Sequence, residues 1–146
     1  MIGVAILGAG IGREHLAGYR ALPDLYRVRW LCDLHTDRAA EVADGDAAVR
    51  ITADVADLLS DADVDLVDIC LPPHLHVPIA TAALSAGKHV VLEKPIAASL
   101  AECDRLEAAA RASGRAVFPV FQYRYGPATA ALDALMEALR DTAPDL

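Results

Sequence analysis

Short apolar runs alternate with longer amphipathic stretches along nearly the whole chain. Residues 4–7, 28–32, 49–52, 66–71, His89–Leu92 and 116–121 each concentrate aliphatic side chains in a segment of strand length. The run at 66–71 is apolar except for Asp68, the pattern of a central strand covered on both faces. The segments between carry helix signals. One helix is predicted from the turn at 8–12 to about Leu22, where Pro23-Asp24 ends it. Thr36 is a candidate N-cap for a short helix through Ala43, followed by the turn Asp44-Gly45-Asp46. Asp54 is placed to cap a helix carrying Val55, Leu58 and Leu59. Pro72-Pro73 breaks the fourth strand and starts a helix that runs to Gly87, a C′ residue. Ser99-Leu100-Ala101-Glu102 fits a capping box, and the helix it opens is expected to end near Ser113-Gly114. Beyond Tyr125, Ala128, Ala131, Leu132, Leu135, Met136 and Leu139 recur at helical spacing as one apolar stripe that needs a surface to cover.

Six strands alternating with helices through short connections imply an α/β fold, a parallel doubly wound sheet with helices on both faces, because right-handed crossovers alternate the covering. The expected strand order is 3-2-1-4-5-6. Residues 1–125 make one domain in this reading, and 126–146 a further helix.

Composition narrows the class. The chain has 146 residues, 55% hydrophobic but only 5% aromatic, so Ala, Val, Leu and Ile must build the core. A net charge of −8 argues against nucleic acid, which requires clustered Lys and Arg to displace counterions. The apolar opening lacks a basic leader and is broken by glycines, so no membrane span is expected and a cytoplasmic location follows by default. Cys32, Cys70 and Cys103 are widely spaced in apolar strands or a predicted helix, and are read as buried free thiols.

The first strand runs straight into Gly8-Ala9-Gly10-Ile11-Gly12, and the second ends in Asp33. Strand, glycine turn, helix and acid in that order make the first half of a dinucleotide-binding unit. Glycines let bare backbone N–H groups approach a pyrophosphate, whose charge is welcomed by the positive end of the following helix. Asp33 is spaced to reach the adenosine ribose hydroxyls, and its charge would repel a 2′-phosphate, favouring NAD over NADP. The turn is one residue shorter than G-x-G-x-x-G, with Arg13 in the place of the third glycine. G-x-G-x-G also opens the cofactor loop of S-adenosylmethionine-dependent methyltransferases, so the glycine turn alone leaves that alternative open.

Two unusual segments fall at the carboxyl ends of the strands, where an open α/β sheet binds ligands. Leu71-Pro72-Pro73-His74-Leu75-His76 follows the fourth strand, and Glu93-Lys94-Pro95 follows the fifth. Together with Ala86-Gly87-Lys88-His89-Val90 leading into Glu93-Lys94-Pro95, and Phe121-Gln122-Tyr123-Arg124-Tyr125 after the sixth, they resemble the glucose-fructose oxidoreductase, inositol dehydrogenase and MocA family of NAD(P)-dependent oxidoreductases. The likeness covers nearly the whole chain. Apolar Ile6, where methyltransferases usually carry an acid, counts against that rival. Pro73 and Gln122 stand where the family usually has asparagine, and Tyr123 where it has the first of two arginines.

The resemblance implies a Rossmann-type fold and a cofactor site built from Gly8, Gly10, Ile11, Gly12, Asp33, Arg38, Leu71, Pro72, His76, Glu93, Lys94 and Gln122. Lys94 is the implied catalytic residue, orienting the reacting group and assisting proton transfer. The carboxylate of Glu93 would oppose the loss of basicity a lysine base needs, so Lys94 is expected to act mainly as a charged hydrogen-bond donor to the substrate oxygen. A cis peptide bond before Pro95 is implied, aiming the lysine at the cleft. Arg38 would lie over the adenine or remain a solvated helix charge. His74 and His76 lack a third ligand at suitable spacing, so no metal is expected. Relatives continue into a second α/β domain that supplies most substrate contacts and the oligomer interface, so the helix at 126–146 would lead into it. The implied activity is hydride transfer between nicotinamide and a sugar, inositol or related polyol. The alternative is a non-catalytic NAD-binding module or truncated product. A homo-oligomer stays open.

Overall fold

The computed structural model describes residues 1–142. Strands β1 (Ile2–Leu7), β2 (Tyr26–Cys32), β3 (Arg50–Thr52), β4 (Leu66–Ile69), β5 (His89–Leu92) and β6 (Val117–Pro119) alternate with helices α1 (Gly12–Arg20), α2 (Thr36–Ala43), α3 (Val55–Ser60), α4 (Pro73–Ser85) and α5 (Leu100–Ser113). A 3-10 turn, Gln122–Tyr125, then leads into α6 (Pro127–Thr142). The strands form one six-stranded sheet, all pairs parallel, in the order β3-β2-β1-β4-β5-β6. This is the topology the alternation predicted.

Period-two alternation sorts the apolar side chains into two cores. Val4 and Ile6 of β1 and Cys70 beyond β4 pack against Leu16 of α1 and Ala39 of α2. Leu7, Val67 and Leu92 face the other way, onto Leu58 of α3, Ala80 of α4 and Leu106 of α5. Helices therefore cover both faces. Ile6, Leu7, Leu31, Ile69 and Leu92 are fully buried, and each such side chain contributes roughly 1.5–3 kcal/mol.

The ends of elements differ from the sequence reading in physically clear ways. Asp54 does cap α3, accepting the Ala56 N–H at 2.8 Å. Thr36 does not cap α2: His35 holds that position without a side-chain bond, and Asp33 orders the turn by accepting the His35 N–H at 2.9 Å. Ser99 caps α5 by accepting from the Glu102 N–H at 3.3 Å, while Glu102 reaches back to the Ala98 N–H rather than that of Ser99. Helix α1 stops at Arg20, before Leu22, where a tighter turn takes over. Strands β4 and β6 are shorter than predicted because apolar residues continue past the last ladder bond into loops.

At the opposite end of the sheet from the site, Lys88 is buried and donates its ammonium to the carbonyls of Asp61 and Val64 at 2.8 and 2.7 Å. The α6 stripe lies open: Leu132, Leu135 and Met136 are 55%, 56% and 45% exposed. The side chain of Leu139 and residues 143–146 lie outside the described residues. Beside α1, Val91 and the half-exposed Phe118 border a cavity of about 840 Å³. Cys32 and Cys70 are buried as expected, whereas Cys103 is only partly so. Among the described residues no helix is long and apolar enough to cross a membrane.

Candidate functional site

The carboxyl ends of β1, β2, β4 and β5 lie side by side, bringing the glycine turn, Asp33, the 71–73 segment and the Glu93-Lys94-Pro95 loop to one rim of the sheet. Gly8 has φ of 95°, and a Cβ there would sit 2.4 Å from the Cys70 carbonyl oxygen, so only glycine fits this turn. Gly12 is buried as the first residue of α1, where a Cβ would meet Ile6 Cγ2 at 2.9 Å. It thus does the close-packing work of a third glycine despite the shortened turn. Around Gly10 there is room, the nearest atom to its Cβ position being an Arg38 nitrogen at 4.0 Å. Among the described residues the N–H groups of Gly10, Ile11 and Gly12 have no hydrogen-bond partner. Unpaired donors at a helix N-terminus suit a diphosphate.

Asp33 ties the glycine turn to the start of α2. Its Oδ2 accepts the Ala9 N–H at 2.8 Å and the Arg38 guanidinium at 2.7 Å, and its Oδ1 accepts the His35 N–H. Burial alone would raise this carboxyl, but the two N–H groups and Arg38 outweigh it and hold it below the ordinary carboxylate range. Arg38 is therefore neither free over the adenine nor simply solvated; it is ion-paired, with its side chain half exposed. Any donor arriving at Oδ2 meets Arg38 as a competitor.

At the other end Lys94 is exposed and joined to Pro95 by a cis peptide bond. Glu93 beside it is buried, and its Oε2 accepts the Lys94 N–H at 2.9 Å. His76 is fully buried, with Nδ1 at 2.8 Å from the Pro95 carbonyl and Nε2 at 2.7 Å from that of Leu71. It clamps the two loops from beneath, each ring nitrogen lying at a loop carbonyl. The same clamp removes it from any metal pair with exposed His74. Leu71 is half-buried and Pro72 exposed at the start of α4. Gln122 is exposed in the 3-10 turn, and no hydrogen bond among the described residues ties it to the cluster.

A second group was missed from the sequence. Asp68, fully buried on β4, accepts from the Tyr19 hydroxyl at 2.9 Å and bonds His15 Nδ1 at 2.8 Å. His15 Nε2 lies 3.2 Å from Glu93 Oε1, and Cys70 Sγ lies 3.5 Å from both His15 Nδ1 and Asp68 Oδ1. Burial and then the Asp68 charge push the Cys70 thiol and the Tyr19 hydroxyl upward, so both stay protonated. Donor atoms of His15, Asp68 and Cys70 lie within 4.8 Å of one another, and the bonds among them satisfy each group without an ion. The available signal was Asp68 itself: a charge inside an apolar strand requires a partner.

Residues 2–121 match the family model of the Gfo/Idh/MocA oxidoreductases, described as an oxidoreductase family with an NAD-binding Rossmann fold. The chain is 34% identical over 139 residues to inositol 2-dehydrogenase 1 of Saccharopolyspora erythraea, covering 92% of this chain and 41% of that protein. It is 31% identical over 137 residues to levoglucosan dehydrogenase of Pseudarthrobacter phenanthrenivorans, covering 88% of this chain and 35% of that one. The crystal structure of GenD2 from gentamicin A biosynthesis, in complex with NAD, matches with a TM-score of 0.89 at 29% identity, over 96% of this chain and 40% of its own. The chain thus spans about two fifths of the length of these relatives. The methyltransferase alternative falls with these matches. Family model, relatives and solved structure agree with the observed fold: the chain belongs to the Gfo/Idh/MocA family of oxidoreductases and carries its NAD-binding Rossmann fold.

Proposed function

We propose that the chain is the cofactor half of an NAD-dependent oxidoreductase that passes hydride between nicotinamide and a carbon of a sugar, inositol or related polyol. The observation that carries this reading is that unpaired N–H donors and Asp33 share one rim of the sheet with Lys94. Bound NAD supplies a hydride acceptor, or as NADH a donor, at nicotinamide C4. The N–H groups of Gly10, Ile11 and Gly12 hold its diphosphate, and Gly8 shapes the turn that presents them. Asp33 accepts from the ribose hydroxyls and disfavours a 2′-phosphate, while Leu71 and Pro72 border the nicotinamide side. Lys94 donates a charged hydrogen bond to the substrate oxygen, orienting it and stabilising charge that gathers there. Glu93 and His76 keep the lysine loop in place. Support for the substrate class comes from the inositol dehydrogenase relatives and from the levoglucosan dehydrogenase solved with NADH and levoglucosan, 30% identical with a TM-score of 0.83.

Titration of the chain with NADH, NADPH and S-adenosylmethionine, followed by nicotinamide fluorescence and heat, tests the reading. NADH is expected to bind and NADPH to bind more weakly. Preference for NADPH, or binding of the sulfonium compound alone, overturns the proposal.

A further inference from the structure

His15 sits in α1, directly behind the glycine turn, yet its ring faces the far side of the cofactor rim. Nδ1 meets Asp68 on β4 at 2.8 Å and Nε2 meets Glu93 behind β5 at 3.2 Å. A neutral imidazole donates from only one nitrogen, so one carboxylate would face a lone pair. Only the imidazolium serves both. Glu93 in turn accepts the Lys94 main-chain N–H through its other oxygen, Oε2. An unbroken path of hydrogen bonds therefore runs from β4 through the α1 histidine to the residue that carries the ammonium.

We propose that His15 is a positioning residue, its ring fastening the helix behind the glycine turn to the loop that carries Lys94. The role of Lys94 rests on the oxidoreductase reading above; the fastening itself is a property of this chain. It links the two ends of the cofactor rim, because α1 presents the diphosphate donors at its first residue and holds the lysine loop one turn later. Loss of the bridge frees Glu93 to turn, and the Lys94 backbone loses its acceptor.

The bridge depends on pH. The groups facing the ring are Asp68 from β4, Cys70 just beyond it, Glu93 from the loop behind β5 and, through the shared Asp68 oxygen, Tyr19 of α1 itself. The hydrogen bond to Asp68 lifts the imidazole above its ordinary 6.5, burial opposes this, and the fields of Asp68 and Glu93 add to it. Since the folded value is raised, the bridge is complete below the ordinary histidine value and is lost as pH rises through the folded one.

Amide hydrogen exchange, corrected for intrinsic rates and followed from mildly acidic to mildly alkaline pH, tests the proposal. In the wild-type chain the Lys94 N–H is expected to be protected at low pH and to lose protection as His15 deprotonates. His15→Gln is expected to exchange about tenfold faster at Lys94, the size of one lost charge-assisted bond, with no remaining pH step and no change at Ala9 in the glycine turn. Leu16→Val, which loosens α1 without touching the ring, serves as the packing control. Equal loosening of the loop in Leu16→Val, or unchanged Lys94 exchange in His15→Gln, overturns the positioning role. A parallel NADH titration separates the two readings. A wild-type chain that shows the Lys94 pH step but ignores NADH sinks the cofactor reading and leaves the fastening intact.

Discussion

Asp33 shows how much one carboxylate can hold. It accepts from Ala9, His35 and Arg38 at once, joining the glycine turn to α2. An amide there must turn its NH₂ toward one of those donors, so Asp33→Asn is expected to cost roughly 1–3 kcal/mol in urea unfolding and to weaken NADH binding in the same preparation. Its folded value lies below the ordinary 3.8. That stabilisation is therefore full above the ordinary value and disappears as pH falls through the folded one, so acid unfolding of Asp33→Asn should be the less steep. The cysteines divide by access. Burial, then the Asp33 charge, pushes the Cys32 thiol up to about 11, and Cys103 is the one partly exposed. Iodoacetamide with mass spectrometry is expected to label Cys103 in the native chain, and Cys32 and Cys70 only on unfolding. The acid behind β2 was legible from its spacing to the turn. Its ion pair with Arg38 was not, because a bond across a loop and a helix start leaves no periodic trace.

Among the elements, helices were read best where the signal is local. Asp54 and Ser99 cap because a short oxygen-bearing side chain at that position meets orphan N–H groups whatever the tertiary context, and Ser99→Ala is expected to lower stability by about 1 kcal/mol in thermal unfolding. Strand ends were read less well. Leu71 and Phe121 are as apolar as the strands they follow, yet they lie past the last ladder pair, which the neighbouring strand decides. Helix α6 keeps its stripe exposed, so Leu135→Lys is expected to shift the unfolding free energy by no more than about 0.5 kcal/mol. A large loss would show that the helix is packed against the sheet in solution.

Across the whole molecule, alternation with right-handed crossovers made a parallel doubly wound sheet legible, and the dinucleotide-type glycine turn and acid pointed to the order β3-β2-β1-β4-β5-β6 within it. The His15 network was not legible, because its members are separated by 53 and 78 residues and meet only once β1, β4 and β5 are side by side. Exposed Phe118 and the α6 stripe leave apolar surface on a strongly acidic chain. Self-association that grows with concentration is expected in size-exclusion chromatography, reduced by Phe118→Lys; a clean monomer at high concentration counts against it. Lys88, at the opposite end of the sheet, is held differently. Lys88 shares its charge with two peptide oxygens and has no carboxylate in that pair of bonds, whereas Arg38 grips Asp33 from a half-solvated position. Dissolved ions screen the second kind of hold far more than the first. As ionic strength climbs, the molecule should slacken first where Arg38 meets Asp33 and last around Lys88.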